Sequence, residues 1–167
     1  RTTESQTHRE MASGLSMPIG FKNGTDGSFT TAINAMQSAS KSHHFLGVNA
    51  CGMASIVNTT GNPDGHIVLR GGSKGPNFES DHVKKISSEL KQSNLPHKVM
   101  IDCSHGNSNK DFRKQSEVLK NIASQISNGE KNILGVMLES HLKEGNQKLL
   151  NKENLQFGRS ITDACIN

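Results

Sequence analysis

Four short apolar runs punctuate an otherwise polar chain: Met17 to Lys22, His66 to Gly71, Lys98 to Cys103 and Asn132 to Glu139. Each is four to eight residues long and nearly continuous in apolar character, as expected of strands buried on both faces of a parallel sheet. Between them the period changes to that of a helix. Phe29, Ile33 and Met36 recur at i, i+4 and i+7, which predicts a helix from about Ser28 to Ser40. Val83, Ile86 and Leu90 mark a second helix, and Val118, Leu119, Ile122 and Ile126 a third. Ahead of the first strand, Thr2 or Thr3 is placed to cap a helix running to about Ser13, with Glu4 in its first turn and Gly14 at its end. Two further segments, His44 to Asn49 and Ser55 to Thr59, flank a glycine-containing turn and predict a hairpin inserted at about 44–60. From His141 to Ser160 the chain is polar and aperiodic, the pattern of a long loop, before SITDACIN opens another ordered piece.

Strand and helix alternating four times predict an α/β fold with a parallel sheet, and the count is that of half a (β/α)8 barrel. Half a barrel leaves open sheet edges, so the 167 residues are expected to be one partial catalytic domain within a longer polypeptide. The N-terminal half of the barrel and its last helix are the parts expected to lie outside it.

The charged residues at the strand ends turn this pattern into chemistry. Lys22, Arg70, His105 and Glu139 each follow an apolar run and precede asparagine, glycine or serine, and Asp163 stands in the last piece, SITDAC. In (β/α) barrels such ends converge on one face, so residues far apart in sequence meet. Arg70 before two glycines can offer a forked guanidinium and close backbone N–H groups to a phosphate, with Lys22 and Arg1 as further cations. The alternative is a structural ion pair. His105, Glu139 and Asp163 form a nitrogen and carboxylate set that suits Mn²⁺, Fe²⁺, Co²⁺ or Zn²⁺, although no short spacing in the sequence forces them together.

Composition narrows the class. No apolar run nears the ~20 residues of a membrane helix, and no basic segment precedes an apolar one as in a secretory signal. The net charge of +4, the absence of Tyr and Trp, and the lack of a Lys/Arg run give nucleic acid little to bind. Cys51, Cys103 and Cys165 are odd in number and lack a CxxC spacing, which fits a reducing, cytoplasmic setting and idle thiols. His8, His43, His44 and His66 have no partner in the sequence pattern and are expected to be structural.

Taken in order, RTTESQTHRE, GFKNGTDGS, LRGG, MIDCSHGNSNKDF, GVMLESHLKEGNQ and SITDACI resemble the type I family of 3-deoxy-D-arabino-heptulosonate 7-phosphate (DAHP) synthases over essentially the whole chain. The resemblance is to the later half of the catalytic TIM barrel, about strands five to eight, with a hairpin before LRGG. It implies condensation of phosphoenolpyruvate with erythrose 4-phosphate, the first step of the shikimate pathway. It also implies that Arg1 and Arg70 hold the phosphoenolpyruvate phosphate and that Lys22 contacts its carboxylate. His105, Glu139 and Asp163 become three ligands of a divalent metal, with Lys22 and His105 as the catalytic residues. An aromatic amino acid effector is implied near Ser16, Phe45, Gly47 and Val57, where Gly47 replaces the serine of phenylalanine-sensitive relatives. A dimeric or tetrameric homo-oligomer is also implied. The family's fourth ligand, a cysteine after strand one, and its KPRT segment after strand two have no counterpart here, so this piece alone is expected to be inactive. The alternatives are 3-deoxy-manno-octulosonate 8-phosphate synthase, against which TTES, GTDG and SITDAC argue, and a non-catalytic ligand-binding or regulatory module.

Overall fold

The four apolar runs become the strands of one parallel sheet. The computed structural model describes residues 5–167; Arg1, the cap expected at Thr2 or Thr3, and Glu4 lie outside the described residues. Helix α1 (Gln6–Ser13) is followed by β1 (Ile19–Lys22), α2 (Thr30–Ala39), the strands β2 (His44–Val48) and β3 (Ala54–Asn58), and then β4 (Gly65–Leu69). Next come α3 (Ser80–Gln92), β5 (Val99–Asp102), α4 (Gln115–Ser127), β6 (Ile133–Met137), β7 (Lys143–Asn146) and β8 (Arg159–Ser160). The sheet order is β1-β4-β5-β6, every neighbouring pair parallel. Registers Lys22↔Val68, Leu69↔Ile101 and Asp102↔Met137 bring the carboxyl ends of all four strands to one edge.

Alternation along the strands divides the sheet into two unlike faces. Phe21, Ile67, Leu69, Val99 and Ile101 are buried and join Met36, Val83, Ile86, Leu90, Val118 and Ile122 of the helices in one core. The positions of opposite parity are unevenly covered: Val68 and Asp102 are buried, His66 and Met100 are half-buried and Met137 is exposed. A register shift in β6 between the partners of Val99 and Met100 leaves Leu134 exposed as well.

Helix α2 packs through the expected stripe, widened on one side by alanines. Ala32, Ala35, Met36 and Ala39 are buried, whereas Phe29 and Ile33 are only partly so. Three alanines bring the helix axis close to the sheet, and a Cβ at Gly65 would already lie 3.0 Å from the Met36 side chain. Ile126, expected on the core face of α4, is half exposed.

The long loop expected from His141 to Ser160 is instead ordered. Strands β7 and β8 pair in parallel through Lys143↔Arg159 and Asn146↔Ser160. The Gln147 side chain donates to the carbonyls of Gln156 and Arg159 and accepts from the Gln156 N–H. A segment held by an amide side chain has no hydrophobic period to announce it. Strands β2 and β3 form the expected antiparallel hairpin, with Phe45 opposite Val57. Among the described residues, no helix is long and apolar enough to cross a membrane.

Three stability outcomes follow from these environments. Leu69→Ala should cost about 2–5 kcal/mol in denaturant unfolding, because Leu69 is fully buried and leaves a cavity; Ile126→Ala, on the exposed side of α4, should stay near ±0.5 kcal/mol. Burial lowers the His66 pKa below its usual 6.5. The unfolded chain therefore binds the proton first, so stability should decline as pH falls below 6.5, and His66→Gln should flatten that part of a melting-temperature against pH curve.

Candidate active site

Glycine lets the loops beyond β1, β4 and β5 stack on one another. Gly71 has φ +71°, and a Cβ there would lie 2.4 Å from the Gly106 carbonyl carbon. At Gly72 it would lie 2.4 Å from the Gly27 nitrogen. Backbone this close needs its polar groups satisfied, and three buried asparagines supply the partners. Asn23 accepts from the Arg70 N–H at 2.8 Å and donates to the Gly71 carbonyl at 3.0 Å. Asn77 accepts from the Gly71 N–H and donates to the Asn23 side chain. Asn107 accepts from the Asn77 N–H and donates to the carbonyls of Leu69 and Asp102. The Gly106 N–H donates to the Arg70 carbonyl at 2.9 Å. Arg70 is thus clamped at its backbone from both sides, beside the loop that carries His105.

Strand β5 ends at Asp102, and His105 lies three residues beyond it in the left-handed region at φ 52°, a costly conformation for a histidine. The Asp102 side chain, only 2% exposed, accepts from Lys22 Nζ through Oδ2 at 2.6 Å and lies 2.9 Å from His105 Nδ1. Its Oδ1 accepts from the Ser104 N–H and hydroxyl, at 3.0 and 2.8 Å. Burial pushes this carboxyl upward, yet the bonds from Lys22 and Ser104, with the Lys22 charge, outweigh burial and hold it below the ordinary carboxylate value. Burial, with the Asp102 charge next to it, drives the Cys103 thiol up to about 11, so at neutral pH it is no nucleophile.

On the other side of the imidazole, His105 Nε2 lies 3.6 Å from Glu139 Oε1 and 3.9 Å from Asp163 Oδ2. One donor atom from each of the three lies within 4.8 Å of the others. Buried Gln115 fixes the second residue, accepting from the Glu139 N–H at 2.8 Å and donating to its carbonyl at 3.2 Å. The last segment delivers the third, because Ile166 donates to the Glu139 carbonyl and the His141 N–H donates to Ile166. A cleft of about 110 Å³ opens here, lined by Ser104, His105, Lys110, Phe112, Glu139 and Asp163 among others. One imidazole nitrogen and two carboxylate oxygens suit a divalent transition ion.

Of the residues singled out in the sequence, Lys22 and His105 meet through Asp102, and His105 meets Glu139 and Asp163. Arg70 is joined to them through its backbone, and Arg1 lies outside the described residues. Phe45, Gly47 and Val57 share one face of the hairpin; a Cβ at Gly47 would lie 2.7 Å from Val57 Cγ2 and 3.9 Å from the Phe45 ring. Ser16 follows α1, whose end meets the hairpin base through the bond between the Ser13 and Thr59 hydroxyls. Sequence reasoning missed Asp102, Ser104, Gln115 and the three asparagines. Asp102 carried a signal, a charge closing the apolar run VMID; the neutral amides carried none.

The DAHP synthetase I family model matches residues 1–167. The chain belongs to this family. It is 54% identical over 168 residues to the Tyr-sensitive phospho-2-dehydro-3-deoxyheptonate aldolase of Escherichia coli K12, covering all of this chain and 47% of the relative. It is 57% identical over 166 residues to the Phe-sensitive enzyme of the same strain, covering 99% of this chain and 47% of the relative. The solved phospho-2-dehydro-3-deoxyheptonate aldolase from Francisella tularensis SCHU S4 superposes with a TM-score of 0.93 at 51% identity, covering 99% of this chain and 48% of that one. The chain thus spans about half the length of these relatives.

Within this DAHP synthetase I chain the asparagine clamp should be measurable. Asn77→Ala leaves the buried Gly71 N–H without its acceptor and should cost about 1–3 kcal/mol in urea unfolding.

Proposed function

We propose that this chain forms the later half, about strands five to eight, of a DAHP synthase (β/α)8 barrel. The intact protein then condenses phosphoenolpyruvate, erythrose 4-phosphate and water into DAHP and inorganic phosphate. The observation that carries this reading is the continuous cluster from Lys22 through Asp102 and His105 to Glu139 and Asp163, at the carboxyl edge of a parallel sheet. The half-covered opposite face of the sheet supports its completion by further strands.

The cations manage substrate charge. Arg70, with Arg1, binds the phosphate of phosphoenolpyruvate, where a planar guanidinium can make paired hydrogen bonds. Lys22 meets the carboxylate, and its bond to buried Asp102 fixes where the ammonium stands. Held in line, C3 of phosphoenolpyruvate attacks the aldehyde carbon of erythrose 4-phosphate, water adds at C2, and the phosphate leaves with its C–O electron pair. Orientation of two anions against their repulsion supplies several kcal/mol, on the order of effective-molarity gains.

His105 Nε2, Glu139 and Asp163 fit a divalent ion in number, donor type and mutual reach. Such an ion supplies Lewis acidity toward the aldehyde oxygen of erythrose 4-phosphate. Mn²⁺, Fe²⁺, Co²⁺ and Zn²⁺ are the candidates.

An aromatic amino acid is proposed as effector at the Phe45, Gly47 and Val57 face of the hairpin with Ser16. The opposite hairpin face exposes Leu46, Val48 and Ile56, which supports a homo-oligomer, and three free cysteines support a cytoplasmic setting.

The test is erythrose-dependent consumption of phosphoenolpyruvate by the intact protein. Chelation should abolish turnover and Mn²⁺ should restore it. His105→Ala should lower kcat/KM by at least ~100-fold, since loss of a partner outside the ligand shell alone costs about 10–100-fold. Turnover that persists after complete metal removal overturns the metal-dependent reading, and turnover with arabinose 5-phosphate in place of erythrose 4-phosphate overturns the substrate.

A further inference from the structure

Proton bookkeeping around Asp102 decides which nitrogen of His105 is free. A carboxylate only accepts hydrogen bonds, so the bond between Ser104 Oγ and Asp102 Oδ1 at 2.8 Å uses the one proton of that hydroxyl. Ser104 Oγ also lies 2.7 Å from His105 Nδ1, and with its proton spent it can only accept there. The same Nδ1 stands 2.9 Å from Asp102 Oδ2. Two acceptors face one ring nitrogen, so Nδ1 must carry the hydrogen.

We infer that Ser104 and Asp102 are positioning residues that keep a hydrogen on His105 Nδ1, so that Nε2, on the side of Glu139 and Asp163, is the nitrogen offered to an ion. This rests on the metal-centre reading of the same residues. Asp102 lies on the imidazole's other nitrogen and is bound by Lys22, so it serves the ion through His105 and is not itself a ligand. It also ties the anion-binding side of the site to the metal side, because a single oxygen, Oδ2, faces both Lys22 and His105. The left-handed backbone at His105, φ 52°, turns the ring back over the end of its own strand, where these partners lie.

In the intact, metal-stripped protein labelled with ¹⁵N-histidine, the His105 signals, assigned by their loss in His105→Gln, should report a hydrogen on Nδ1. A bare Nδ1 overturns the inference. Asp102→Asn and Ser104→Ala should each shift the population toward Nε2–H. Asp102→Asn should weaken Mn²⁺ binding, read by chelator competition, about 10–100-fold. If Asp102→Asn binds Mn²⁺ like wild type while His105→Ala does not bind, the positioning role is wrong and the metal centre stands. If His105→Ala binds Mn²⁺ like wild type, the metal centre itself is wrong. Should Asp102→Asn fail to fold, Ser104→Ala, which keeps the charge, carries the comparison.

Discussion

The site depends on one buried carboxylate. Asp102 stands at the end of β5 with its side chain 2% exposed, and it survives there as an anion because Lys22, the Ser104 hydroxyl and the Ser104 N–H converge on it. An unpaired charge so deeply buried would be costly, and the half-buried Lys22 ammonium is its counter-ion. Its partners therefore make the carboxylate tolerable, and its Oδ2 holds a cation on one side and an imidazole on the other.

Around this pair the strand-end loops are held by polar economy rather than by apolar packing. Gly71 and Gly72 remove the side chains that would keep the loops apart, and Asn23, Asn77 and Asn107 satisfy the backbone groups that close approach deprives of water. Gln115 does the same for Glu139 from the start of α4. Rigid, fully bonded supports are what a site needs if charged ligands are to be presented without prior rearrangement. The core beneath, from Phe21 to Ile122, needs only to be apolar and well filled.

Much of the architecture was legible in the chain. Buried parallel strands read as apolar runs, so Met17 to Lys22 and its three counterparts mark β1, β4, β5 and β6 to within a few residues. The strand-end charges were legible for the same reason, since a charge abutting an apolar run has few other places to go. The α2 stripe was legible only in part, because alanine is a weak hydrophobic signal but a strong packing one, and Ala32, Ala35 and Ala39 widen the contact made by Phe29, Ile33 and Met36. Strands β7 and β8 escaped because backbone pairing and Gln147 hold them, and neither leaves a period.

What the sequence by itself determined is the α/β class, the family and the chemical types gathered at the strand ends, because apolar periodicity and linear motifs are local properties. Only the tertiary structure decided that Lys22, 80 positions from Asp102, shares an oxygen with His105, and that His105, Glu139 and Asp163 close to within 4.8 Å. Those distances are set by strand register and loop stacking, which arise from contacts between segments remote in the chain. Neutral amides such as Asn77 and Gln115 show their role only once the backbone groups they satisfy have been brought to them.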